Sequence, residues 1–138
     1  MTPGITLKKG GFSQSLREAL EDYYKAVPVS PSCTAMKWRE WADNPNVIPF
    51  RVTKDGKKLG WIVYNSAEST IEEILRDKES TDEKDLFHMV DALIARETLV
   101  AAEILKEDTD RYRWMVEYGF RPTRFFTKNN VPVIKMDL

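Results

Sequence analysis

The chain has 138 residues, 42% of them hydrophobic and 11% aromatic, and its 31% charged side chains nearly cancel to a net charge of −1. That length holds one compact core, so a single domain spanning residues 1–138 is expected, and the apolar content excludes a disordered chain. The even balance lacks the basic footprint of a nucleic-acid binder, and one cysteine, Cys33, excludes an internal disulfide framework and points to a reducing, cytoplasmic setting. No apolar run approaches the roughly 20 residues that span a bilayer, and MTPGITLKKGG lacks the apolar region of a signal peptide, so no membrane association is expected.

GITLKK is a short extended run. Phe12, Leu16, Ala19, Leu20, Tyr23 and Val27 then recur at helical spacing, and the two prolines of VPVSPSC end that helix. TAMKWREWAD predicts a shorter second helix carrying Trp38 and Trp41, stopped by NPN. VIPFRVTKDGKKLGWIVYN reads as two strands around Lys54-Asp55-Gly56-Lys57, where Asp-Gly supplies the positive φ of a tight hairpin turn. STIEEILRD reads as a further strand, with its two glutamates leaving a helical turn open. From Ser80 onward Leu86, Met89, Val90, Leu93 and Ile94 form the apolar stripe of a third helix. TLVAAEIL is a buried-type strand, and DTDRYRWMVEY is a fourth helix closed by Gly119 in a left-handed cap. TRFFTKNNVPVIKMDL closes the chain as a hairpin turning at Asn129-Asn130, with Pro132 confined to a bulge or edge position. Strands interrupted by crossover helices give an α/β or α+β fold with a mixed, twisted sheet.

Few residues advertise chemistry. Asp82, Glu83 and Asp85 crowd the start of the third helix without the glycine and alternating ligands of a calcium loop, and no His or Cys cluster suits zinc, so no metal is expected. Ser80 and Glu83 have the spacing of a capping box. His88 falls off the apolar stripe and reads as a surface residue, while Cys33 sits in the loop after helix one and reads as inert. The four tryptophans read as core or pocket wall, with Trp38 and Trp41 also candidates for a site or partner surface. Arg121, Arg124, Lys128 and Lys135 read as a solvated edge.

Three stretches in this order resemble the GCN5-related N-acetyltransferase (GNAT) superfamily over nearly the whole chain: the hairpin FRVTKDGKKLGWIVYN, the strand-to-helix run IEEILRDKESTDEKDLFHMVDALIARE, and the helix end RYRWMVEYGF with Gly119-Phe120. The resemblance implies a sheet of about six or seven strands with four helices, and an acyl-CoA cleft. It places the cofactor contacts at Leu75, Arg76 and Asp77 on the strand end and at Lys84, Asp85 and Leu86 on the helix start. The family's Arg-Gly-Lys-Gly-x-Gly falls, without gaps, on residues 81 to 86, where Thr81, Asp82, Glu83, Lys84, Asp85 and Leu86 stand and every glycine is missing. Side chains there obstruct the close approach of backbone to phosphate, and the carboxylates repel it. The family's acid, a tyrosine four residues before the glycine of Gly-Phe, is matched by Met115, which has no proton to give. Tyr112 and Tyr118 are the neighbouring substitutes, although 3.6 residues per turn aims them elsewhere. A general base is implied at Glu72 or Glu73, of which alternation lets at most one face the cleft, and whose ordinary reading is a solvated strand face.

Two functions follow as expectations. One is a non-catalytic or weakly active binding module with a degenerate pyrophosphate loop, no cofactor, an unknown protein partner and a possible homodimer. The other is an N-acyltransferase that uses acetyl-CoA and a small amine acceptor.

Overall fold

The computed structural model describes residues 4–27, 31–80 and 82–138. The chain runs β1 (Ile5–Lys9), α1 (Gln14–Ala26), α2 (Pro31–Asp43), β2 (Val47–Lys54), β3 (Lys57–Asn65), β4 (Thr70–Arg76), α3 (Lys84–Ile94), β5 (Ala101–Leu105), α4 (Thr109–Tyr118), β6 (Arg121–Lys128) and β7 (Val131–Asp137). Seven strands form one mixed sheet in the order β1-β2-β3-β4-β5-β7-β6, as expected of the α/β reading. All neighbours are antiparallel except β4 and β5. Among the described residues no helix is long and apolar enough to cross a membrane.

The element ends follow from local chemistry. Ser13 caps α1 by accepting from the Leu16 N–H at 3.3 Å. The second helix begins earlier than expected, at Pro31, a residue whose fixed φ and missing N–H suit a first helical position. This brings Cys33 into α2 and out of the expected loop. The first hairpin turns through Asp55 and Gly56 at φ 50° and 80°, and the last through Asn129 and Asn130 at 53° and 63°, both in the primed geometry that matches strand twist. Pro132 lies just outside the β5–β7 ladder, whose pairing starts at Val133, so its missing N–H breaks no rung there.

Alternation along β3 splits the core between the two sheet faces. Ile62 and Tyr64 pack with Leu86, Met89 and Leu93 of α3 and with Trp114 and Met115 of α4. Trp61 and Val63 pack with Leu16, Leu20 and Tyr24 of α1 and Trp41 of α2. Trp41 is therefore core and not partner surface, whereas Trp38 is half-buried, edge-on to Phe12 at 5.6 Å between centroids. His88, expected at the surface, is half-buried, and among the described residues its enclosed Nδ1 finds no partner.

Beyond Thr70–Ala101 and Ile71–Ala102, β4 and β5 are no longer paired. The ends of these two parallel strands are thus free to part, and the site lies along β4 there. Opposite, Gly60 of β3 holds φ 148° and presses on β4 so closely that a Cβ would stand 1.9 Å from the Leu75 carbonyl oxygen. Gly60→Ala is expected to destabilise the fold by about 3 kcal/mol, read as a lower urea midpoint; an unchanged midpoint would mean that β3 and β4 shift apart freely.

Candidate functional site

The site is built on an irregularity in β4. Val63 pairs with Glu73 but Tyr64 pairs with Ile71, which leaves Glu72 as an extra residue. Ile71 and Ile74, three apart, accordingly share the α3/α4 face. Glu72 and Glu73 between them both line one small cavity on the α1/α2 face, with Tyr24 and Lys37. The expectation that at most one of this pair faces inward fails because a bulge suspends alternation locally. The solvated-face reading fails as well, since Glu72 is 4% exposed and Glu73 3%.

Each buried carboxylate has its own partners. Glu73 accepts from the Tyr24 hydroxyl at 3.3 Å, from the backbone N–H of Ile74 at 3.3 Å and from Arg111 Nη1 at 3.4 Å. Burial dominates nonetheless and pushes its pKa up to about 7, with Arg111, Lys37 and these hydrogen bonds opposing the rise. Glu72 accepts from the Asn65 amide at 3.3 Å and from Lys128 Nζ at 3.2 Å, with Lys37 Nζ at 3.9 Å. Burial and Glu73 hold the Tyr24 phenol far above its ordinary value, so it remains a proton donor.

Arg111 is the residue that sequence reasoning missed. It stands in the first turn of α4, where the cap Asp108 accepts its backbone N–H at 2.9 Å and the Tyr23 hydroxyl at 2.6 Å. From there the guanidinium reaches β4, donating to the Ile74 carbonyl at 2.7 Å, and it lies over the Tyr23 ring at 4.7 Å. The side chain thus joins α4, which follows β5, to the unpaired part of β4. Asp108 three residues before Arg111 was the available signal, a helix cap that fixes the first turn.

The turn between β4 and α3 is organised by Arg76, whose Nη2 donates to the carbonyls of Ser80 at 3.1 Å and Asp82 at 2.9 Å. The expected capping box does not form. Ser80 donates instead to the buried Asp85 carboxylate at 2.9 Å, and Glu83 makes no side-chain cap. The first helical donors are satisfied all the same: Lys84 N–H by Asp82 Oδ1 at 2.9 Å, and Asp85 and Leu86 N–H by the carbonyls of Asp82 and Glu83. Thr81 lies outside the described residues.

The other expected cofactor contacts are dispersed. Leu75 and Leu86 are core residues, and Asp77 pairs with Arg51 at 3.4 Å. Tyr112 and Tyr118 pack on the α3/α4 core, and the Tyr118 hydroxyl is committed to Asp91 at 2.5 Å. The structure does not bring either tyrosine to the glutamates, and Met115 is fully buried. Two grooves meet at Arg76 and Arg111. One, of about 400 Å³, lies between α3 and α4 and sets Glu83, Asp108, Asp110 and Glu117 against those two arginines and Arg113. The other, of about 470 Å³, runs along α1 past Trp61. Among the described residues, no cluster of His, Cys, Asp and Glu could hold a metal ion.

Solved structures share this architecture over nearly their full length. Apo YjaB from Escherichia coli superposes with a TM-score of 0.74 at 9% identity, covering 99% of this chain and 97% of its own. An acetyltransferase from Thermus thermophilus gives 0.65 at 12%, with 97% of both chains covered. The fold is that of the GCN5-related N-acetyltransferases. Microcin C7 self-immunity acetyltransferase MccE, in complex with acetyl-CoA and AMP, gives 0.65 at 12% identity over 99% of this chain and 93% of its own. At these identities the likeness is one of fold, and no family model and no curated protein matches the sequence. Within the GNAT fold, then, this chain carries a buried Glu72-Glu73 pair, each member with a cation of its own.

Glu73 makes stability depend on pH. Its folded value of about 7 lies above the ordinary 4.5, so the folded chain keeps a proton that the unfolded chain releases. The resulting stabilisation is complete below pH 4.5 and is lost as pH rises through 7. Glu73→Gln should remove that dependence, on the order of 3 kcal/mol at about 1.4 kcal/mol per pKa unit. Urea unfolding of both proteins at several pH values checks it; parallel curves would show that Glu73 is charged throughout.

Proposed function

We propose that this chain is a GNAT-fold binding module whose acyl-CoA cleft is closed by its own side chains, and that it engages a protein partner rather than transferring an acyl group. The hydrogen bond from Arg111 to the Ile74 carbonyl carries this reading. It engages β4 where the strand has no β5 partner, so a cofactor arm laid along β4 must first evict the guanidinium. Eviction also strips Glu73 of its cation, and breaking a buried pair costs roughly 3–5 kcal/mol. The diphosphate position is equally unfavourable. The N–H groups of Lys84, Asp85 and Leu86 are taken by Asp82 and by backbone carbonyls, and four carboxylates face three guanidiniums in the adjoining groove.

One observation favours the acetyl-CoA-dependent N-acyltransferase as a second reading. A carboxyl titrating near 7 is suited to take a proton from an ammonium acceptor, and Glu73 has that property. In that reading Arg111 swings off Ile74 when acyl-CoA enters, and Tyr24, already bonded to Glu73, is the nearest phenol to the reacting groups.

Calorimetric titration with acetyl-CoA separates the two. The wild-type chain is expected to give no heat at ~1 mM ligand, a concentration that reveals dissociation constants up to about millimolar. The double variant Arg111→Ala/Glu73→Gln, which frees the Ile74 carbonyl and removes the need for a counter-charge, is expected to bind more tightly than wild type. A wild-type dissociation constant near micromolar would overturn the module reading and favour the enzyme.

A further inference from the structure

The sheet ends on two unlike edges. At one, β1 is five residues long, and its Leu7 carbonyl accepts from Arg96 Nη1 at 2.7 Å. At the other, β6 is eight residues long and pairs only with β7. An edge strand turns half of its backbone N–H and C=O groups away from its neighbour. Among the described residues the backbone of β6 makes no hydrogen bond outside its ladder with β7. Proline and bulges commonly blunt such an edge, and β6 has both, but only at its start: Pro122 lacks an N–H, and the register shifts between Pro122 and Arg124. From Arg124 to Thr127 the pairing with β7 is regular, so four consecutive residues keep an open edge.

The side chains along this stretch carry apolar surface and unanswered charge. Phe125 is 64% exposed, more than any other large hydrophobic side chain among the described residues. Arg124 lies over the Phe126 ring at 5.1 Å, which holds its guanidinium along the strand. Across the ladder Arg124 stands opposite Lys135, a like-charged pair that costs stability. Glu103 stands opposite Lys135 on its other side, but its carboxylate is committed to Lys128 at 3.1 Å. Lys128, expected on the same solvated edge, turns inward to Glu72 and Glu103. Among the described residues, Arg121, Arg124 and Lys135 form no ion pair.

We propose that the Arg124–Thr127 edge of β6 accepts an extended segment of another protein as an eighth strand, one in which acidic residues alternate with apolar ones. The open backbone groups supply the pairing. An acidic side chain opposite Arg124 supplies the charge that the Arg124–Lys135 pair lacks, and an apolar one on the other face covers the Phe125 ring. A second copy of this chain fits poorly. Full antiparallel overlap of two β6 strands would set Arg121 against Lys128 and double the three cations of a strand that has no acid. The edge is separated from β4 by β5 and β7. It gives the protein partner of the module reading a chemistry, but it is argued from the edge alone, so a positive acetyl-CoA titration would leave it standing.

The test uses the full chain and an end-capped Glu-Val-Glu-Val-Glu-Val peptide. Calorimetric titration should give a dissociation constant below ~1 mM, and hydrogen exchange should slow at outward amides between Arg124 and Thr127. The same peptide N-methylated at every residue keeps the charge but loses its backbone donors, and it should not bind; nor should the peptide with lysine in place of glutamate. Arg124→Glu, which sets an acid opposite Lys135, should raise the unfolding midpoint while weakening peptide binding about tenfold or more. That split separates a binding edge from a merely structural one. No heat at ~1 mM peptide would overturn the proposal, and equal binding of the N-methylated peptide would reduce the strip to a general anion surface. Slowed amides in a concentration-dependent dimer without peptide would make a second copy the occupant, and the proposal would be wrong.

Discussion

Burying two adjacent carboxylates on the same side of one strand is the constraint around which this molecule is arranged. A regular strand would send one of them to each face. The extra residue in β4 sends both toward α1 and α2, and their desolvation must then be met by cations from elsewhere in the fold. Arg111 answers Glu73 from α4, Lys128 answers Glu72 from the last hairpin, and Lys37 adds charge from α2. Each is delivered by an element distant in sequence, so the polar cluster forms only once the helices and the closing hairpin have docked.

Such pairs are poor sources of stability, because the loss of hydration offsets most of the attraction. What they supply is specification. Arg111 makes β4 and α4 agree in position, Asp108 makes α4 and α1 agree through Tyr23, and Lys128 makes β4, β5 and α2 agree on one point. Glu73 is the imperfect member: burial leaves it able to hold a proton near neutrality despite its partners.

Regular elements were legible in the sequence and the site was not. Asp55-Gly56 and Asn129-Asn130 announced their turns because those residue types tolerate the left-handed backbone, and the α3 stripe announced a helix because its period is local. Glu72 and Glu73 were misjudged because a bulge is decided by pairing across strands, not by the strand's own residues. Ser80 and Glu83 had the spacing of a capping box, yet Asp85 competed for the serine hydroxyl and Asp82 for the helix donor. At Lys84, Asp85 and Leu86 the N–H groups are occupied, but by Asp82 and backbone carbonyls rather than by the capping box. Lys128 and Arg111 sat among ordinary surface charges in the sequence; only the tertiary fold shows that each has a buried carboxylate opposite it.

The brevity of the ladder between β4 and β5 carries a mechanical implication. Two register pairs, Thr70–Ala101 and Ile71–Ala102, join a four-stranded antiparallel block to a three-stranded one. Across the remainder of that boundary the blocks are held by ionic struts, Arg111 to β4 and Lys128 to Glu72 and Glu103, where a longer sheet would have peptide rungs. Exposed charge pairs weaken in salt, whereas pairs as enclosed as these are screened far less. The two blocks therefore meet along a seam that dissolved ions hardly reach, and its cohesion belongs to the chain rather than to the surrounding solution.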